Sequence, residues 1–125
     1  MSVLKDFYTV NSLENIARRK FVAKISLNKD HDIFKGHFPG NPVTPGVCMM
    51  QIVKDLCETI TNSKLFLISA SNVKFMAIIN PEENPDLILE LEISKNKNEI
   101  KAKNTTYFGE TIALKLSVNY QKIRL

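Results

Sequence analysis

The densest chemical signal in the chain is the string Gly36-His37-Phe38-Pro39-Gly40-Asn41-Pro42-Val43-Thr44-Pro45-Gly46-Val47. A neutral histidine such as His37 can accept a proton near neutral pH, because the unperturbed imidazole pKa is about 6.5. Thr44-Pro45 reads as a helix start, with Thr as the cap and Pro at the first helical position. Backbone N–H groups at such a start carry partial positive charge and can hold a carbonyl oxygen on which charge develops. Gly46, just inside the helix, lets a carbonyl approach the backbone closely. Met, Phe and Ile side chains nearby can line an apolar slot beside it. Further along, Gln51, Lys54, Asp55 and Glu58 form a polar stripe at i, i+3, i+4 and i+7. Gln51 and Asp55 share one face of the helix, with Cβ atoms about 5–6 Å apart. Gln51 can orient a hydroxyl or a water but has no titratable proton to give.

The string resembles the active-site segment of the β-hydroxyacyl-acyl-carrier-protein dehydratases, a hot-dog-fold family. Their segment reads His-Phe-Pro-x-x-Pro-Val-Met-Pro-Gly-Val, and only Thr44 departs within that stretch. Asn72-Val73-Lys74-Phe75 is similar to the family's Val-Lys-Phe strand entry, and the resemblance runs from about Phe21 to Lys122. The family's N-terminal Pro-His-Arg-x-Pro-Phe-Leu-Leu-Val-Asp segment is absent. The family's catalytic acid, Glu or Asp, falls at Gln51, and its Gln falls at Asp55, so acid and amide are exchanged across one helical turn.

The resemblance implies an α+β hot-dog domain spanning 1–125, with a long central helix wrapped by an antiparallel sheet. It implies a 3-hydroxyacyl-[acyl-carrier-protein] dehydratase, a hydro-lyase forming a trans-2-enoyl thioester in fatty-acid or related acyl-chain synthesis. Loss of water from such a thioester needs a base for the α-proton, an acid for the departing hydroxide and donors for the enolate oxygen. His37 takes the first role, Gly46 N–H the third, and Gln51 with Asp55 stands where the second belongs. Phe38, Val47 and Met50 would line an acyl tunnel between subunits. The substrate would arrive on acyl carrier protein or coenzyme A, with no metal or nucleotide cofactor. A homodimer, a higher homo-oligomer or a heterodimer is implied. Two other readings stay open: a catalytically weak or silent acyl-thioester-binding subunit, and a thioesterase, since hot-dog domains support several chemistries.

Composition agrees with one soluble domain. The chain has 125 residues, 44% hydrophobic and 24% charged, and a net charge of +4. That excess suits an acidic partner but is too small to argue for nucleic acid. Cys48 and Cys57 match no zinc spacing, and on one helix they would lie about 13 Å apart, too far to bridge. Cys48 sits near a helix start, where a thiolate is favoured. His31 reads as an exposed turn residue, and Met49 and Met50 as core packing. No run approaches the roughly 20 apolar residues of a membrane span, and Met1–Asp6 shows no leader features. A reduced, cytoplasmic protein is the default expectation.

Several elements must position these groups. Asn11–Arg19 shows a helical period through Leu13, Ile16 and Ala17. Phe21, Ala23, Ile25 and Leu27 alternate as a strand. Asp30 to Gly46, rich in Gly and Pro, reads as a long irregular loop. The helix from about Pro45 to Thr61 is apolar almost all round, which predicts burial. Leu65–Ala70 and Val73–Ile79 form one apolar block, closed by turns at Asn80-Pro81 and Asn84-Pro85. Leu87–Ile93 alternates, Lys95–Lys103 reads as a turn plus an exposed edge strand, and Ile112–Tyr120 alternates again.

Overall fold

A computed structural model describes residues 4–36 and 42–123. The elements are β1 (Tyr8–Ala17), β2 (Lys20–Leu27), α1 (Asp32–Gly36), α2 (Gly46–Thr61), β3 (Leu65–Phe75), β4 (Asp86–Asn96), β5 (Glu99–Phe108) and β6 (Thr111–Lys122). The strands make one sheet in the order β1-β2-β4-β5-β6-β3, with every neighbouring pair antiparallel.

Alternation decides which face meets the helix. Ala23, Ile25 and Leu27 of β2, Leu87 to Ile93 of β4, Ile100 and Ala102 of β5, and Leu114 to Tyr120 of β6 turn inward. They pack with Cys48, Met49, Ile52, Val53, Leu56 and Cys57 of α2 in a single core. The expectation of one long buried helix against one antiparallel sheet is met. Asn62 ends α2 in the left-handed conformation, its N–H reaching Glu58 and Thr59 carbonyls, a role Asn fills when Gly is absent. The Asn80 turn forms as expected, with Glu82 N–H bonded to Asn80 Oδ1 and Asn84 N–H to the Asn80 carbonyl.

Four expectations are corrected. Asn11–Arg19 is not a helix: most of it belongs to β1, whose register shifts between Val10 and Ser12 and between Asn15 and Ala17. Those irregularities break the two-residue period and leave a spacing that mimics a helix. The segment Asp30–Gly46 is not wholly irregular, since α1 forms a short helix whose Phe34 stacks on Phe7 at 5.1 Å. His31 is not an exposed turn residue. It is half-buried, its Nε2 lies 2.9 Å from the Lys5 carbonyl, and its Nδ1 accepts the Ile33 N–H. Lastly, the segment Lys95–Lys103 leads into β5, which lies inside the sheet between β4 and β6. Its lysines point outward while Ile100, Ala102, Asn104 and Thr106 are buried. The true edges are β1 and β3.

Candidate functional site

The helix start departs from the expected capping. Pro45, not Thr44, is the N-cap residue, in extended conformation, and no side chain caps the helix. Thr44 instead bonds through its N–H to the Ile79 carbonyl, and its buried Oγ1 has no partner among the described residues. The Pro45 carbonyl accepts from Cys48 and Met49. Among the described residues no acceptor takes the N–H of Gly46 or Val47. Those are the orphan donors of a helix start, at its positive end. Over Gly46 lies the ring of Phe75: its Cζ stands 2.6 Å from where a Cβ would be. The two segments that carry the family resemblance therefore meet in space.

Beside this helix start lies a cleft of about 260 Å³ lined by Val47, Met50, Gln51, Lys54, Leu67 and Tyr120. Val47 is 75% exposed and Met50 is half-buried, so Val47 lies open at the surface. His37 and Phe38 lie outside the described residues.

Gln51 donates from Nε2 to Asp55 Oδ1 at 2.9 Å, as one-turn spacing allows. Asp55 Oδ2 accepts the Tyr8 hydroxyl, also at 2.9 Å, from β1. The two polar residues nevertheless open on different surfaces. Gln51 lines the apolar cleft, whereas Asp55 lines a separate groove with Tyr8, Glu58, Thr59, Asn62, Ser63 and Lys64. Burial, then the charge and hydrogen bond of Asp55, push the Tyr8 phenol well above its ordinary range. Tyr120, in the cleft wall, is raised chiefly by burial. Glu58, of the same polar stripe, accepts the Leu65 N–H and so ties α2 to β3. Tyr8 carries no local motif, and its partner lies 47 residues away. Only the folded chain brings it to the site.

The thiols are quiet. Burial raises Cys48 above its ordinary value, which overrides the thiolate-favouring effect of the helix start. Burial, then the nearby Glu58 charge, push Cys57 up to about 12. Among the described residues no cluster of His, Cys, Asp or Glu has the makings of a metal site, and no helix is long and apolar enough to cross a membrane.

The 3-hydroxyacyl-[acyl-carrier-protein] dehydratase FabZ of Caldicellulosiruptor saccharolyticus is 30% identical over 109 residues, covering 80% of this chain and 75% of that protein. Among solved structures, the dehydratase heterocomplex ApeI:P from Xenorhabdus doucetiae superposes with a TM-score of 0.74 at 22% identity, over 91% of this chain and 97% of that one. Lactococcus lactis yhdA superposes at 0.73 with 14% identity, over 98% of each chain. These likenesses establish the hot-dog fold. The family model described as ApeI-like, ApeI dehydratase, matches residues 13–119, and the chain belongs to that family of hot-dog dehydratases.

Proposed function

We propose that this protein is a 3-hydroxyacyl-thioester dehydratase acting on substrates carried by acyl carrier protein, with a trans-2-enoyl thioester as product. The observation that carries the reading is an uncapped helix start at Gly46 and Val47 opening beside an apolar cleft on the same two turns. His37 removes the α-proton, and the N–H of Gly46 helps hold the thioester carbonyl as it becomes an enolate. The acyl chain lies along Phe38, Val47 and Met50. Gln51 orients the 3-hydroxyl, and Asp55 acts through Gln51. The proton for the departing hydroxide comes from a water held by Gln51 or from the imidazolium formed at His37. Either path is slower than direct donation by a carboxylic acid.

A second reading is favoured by one observation. Both oxygens of Asp55 accept hydrogen bonds, from Tyr8 and from Gln51, and Asp55 opens on a groove apart from the cleft, so its carboxyl is not aimed at a substrate hydroxyl there. The chain would then be the weaker subunit of a heterodimer whose partner supplies the acid. The structural likeness to a chain of the dehydratase heterocomplex ApeI:P supports the same idea.

In either reading the β3 edge is covered by a second hot-dog domain, a like copy in the leading one. Phe66, Ile68, Val73 and Phe75 are exposed on or near that edge, and a bare apolar edge strand invites aggregation. The free cysteines suit a reducing, cytoplasmic setting.

The test is incubation of purified protein with a 3-hydroxyacyl carrier-protein thioester, following enoyl formation and free thiol together. Enoyl product that disappears in His37→Ala supports the dehydratase. Thiol release without enoyl product identifies a thioesterase. Neither product, with binding retained, identifies the silent subunit.

A further inference from the structure

Tyr8, Asp55 and Gln51 form a chain of hydrogen bonds that fixes more than position. A carboxylate only accepts hydrogen bonds, whereas a side-chain amide has one donating and one accepting end. The Asp55 carboxylate therefore settles which way the Gln51 amide faces: nitrogen toward Oδ1, at 2.9 Å. Which end is which follows from the partner rather than from shape. Tyr8 holds the other carboxylate oxygen through its hydroxyl proton, and that proton is tightly kept, because burial and the Asp55 charge both oppose its loss. The carbonyl end of Gln51 is left over. Oε1 has no hydrogen-bond partner among the described residues, and Gln51 lines the cleft of Val47, Met50, Leu67 and Tyr120.

We propose that Tyr8 and Asp55 are positioning residues that lock the Gln51 amide with Oε1 toward the cleft, where it selects acyl chains bearing a hydroxyl over chains of equal length lacking one. This rests on the reading of the cleft as an acyl-thioester site. A hydroxylated chain donates its O–H to Oε1, while an enoyl or saturated chain has no donor and leaves a partly desolvated acceptor unpaired. The lock turns a residue that cannot supply a proton into one that recognises the group to be expelled.

The experiment is titration calorimetry of the full chain with two pantetheine amides of equal length, one 3-hydroxylated and one not. The amide replaces the thioester so that no turnover intervenes. One added hydrogen bond of ordinary strength corresponds to a preference of roughly threefold to tenfold for the hydroxylated probe. Gln51→Leu should abolish the preference. Tyr8→Phe, which removes one oxygen and keeps the ring, and Asp55→Asn should each reduce it while affinity for the unhydroxylated probe stays constant. A merely structural role for Tyr8 would weaken both probes together. Equal affinity of the native chain for both probes overturns the inference and leaves the acyl-binding reading standing, as does a preference that survives both Tyr8→Phe and Asp55→Asn. Failure of both probes to bind overturns the inference and that reading together.

Discussion

Phe75 lies across Gly46 so closely that its Cζ would stand 2.6 Å from a Cβ there. The contact joins the loop-to-helix string to the Val-Lys-Phe strand, and it leaves position 46 without room for a side chain unless the ring moves. Phe75 is 55% exposed, so movement costs little core packing.

Gly46→Ala should therefore change stability by no more than about 1 kcal/mol, because the helix-propensity gain of Ala offsets displacement of the ring. Activity should fall far more, since the new methyl stands beside the N–H groups proposed to hold the thioester carbonyl. Thermal melts beside enoyl-formation rates check the split. Adding Phe75→Ala should relieve the steric cost without restoring the rate.

Gln51→Glu should raise dehydration at least tenfold. The new carboxyl would sit within hydrogen-bond reach of Asp55 Oδ1, now 2.9 Å from the Gln51 amide. Two carboxyls so close do not both ionise readily, so one holds its proton to higher pH and can act as an acid. The pH–rate profile should gain a falling limb on its alkaline side. An unchanged rate, with Asp55→Asn also harmless in the native sequence, would remove both residues from proton delivery.

Ile68→Lys should convert an associated protein to monomer. Ile68 is 53% exposed on β3, which has a sheet partner on one side only. Charges on an edge strand oppose edge pairing. Sedimentation at micromolar concentration should show the loss of association, and activity should fall with it. A native chain that is monomeric at that concentration would end the two-subunit picture.

Cys57 sets an alkaline limit on stability. Its thiol is raised from 9.0 to about 12 by burial and by Glu58. A raised folded-state pKa means that the native state keeps its proton where the unfolded chain has released it. The contribution is whole below pH 9 and is lost as pH climbs from 9 toward 12, at up to about 1.4 kcal/mol per pH unit. Urea midpoints between pH 7 and 10.5 should fall less steeply for Cys57→Ala than for the native chain. At pH 8 the folded protein should also resist thiol alkylation at Cys57.

The parts of the fold that buried a clean face were legible from residues alone. Helix α2 shows itself through Val47 to Val53, β2 through Phe21 to Leu27, and β6 through Ile112 to Tyr120. Legibility failed at one edge strand, β1, and at one inner strand, β5. In β1 two register shifts scramble the period, so Leu13, Ile16 and Ala17 fall at helical spacing while the backbone is extended. In β5 the Lys and Asn content suggested an outer strand, yet every second residue is buried, and Asn104 is accommodated by bonding the Glu90 carbonyl and the Thr106 hydroxyl. At the site, the helix spacing already put Gln51 beside Asp55. It gave no hint of Tyr8, nor of the divergence of the two side chains onto separate surfaces, because both depend on where β1 and β3 flank α2.

The sheet order has a consequence for how the chain is made. β3 follows α2 directly in sequence, yet among the described residues its one strand neighbour is β6, which comes last in chain order. On the ribosome, where chains emerge at about 5–20 residues per second, β3 waits through the whole β4–β5 meander before its ladder can form. During those seconds Phe66, Leu67 and Ile68 lie on an unpaired strand with both edges open. Pairing of the final strand closes one edge, and the association proposed above would close the other. The nascent protein is thus most exposed to chaperones and to neighbouring copies before Thr111–Lys122 emerges.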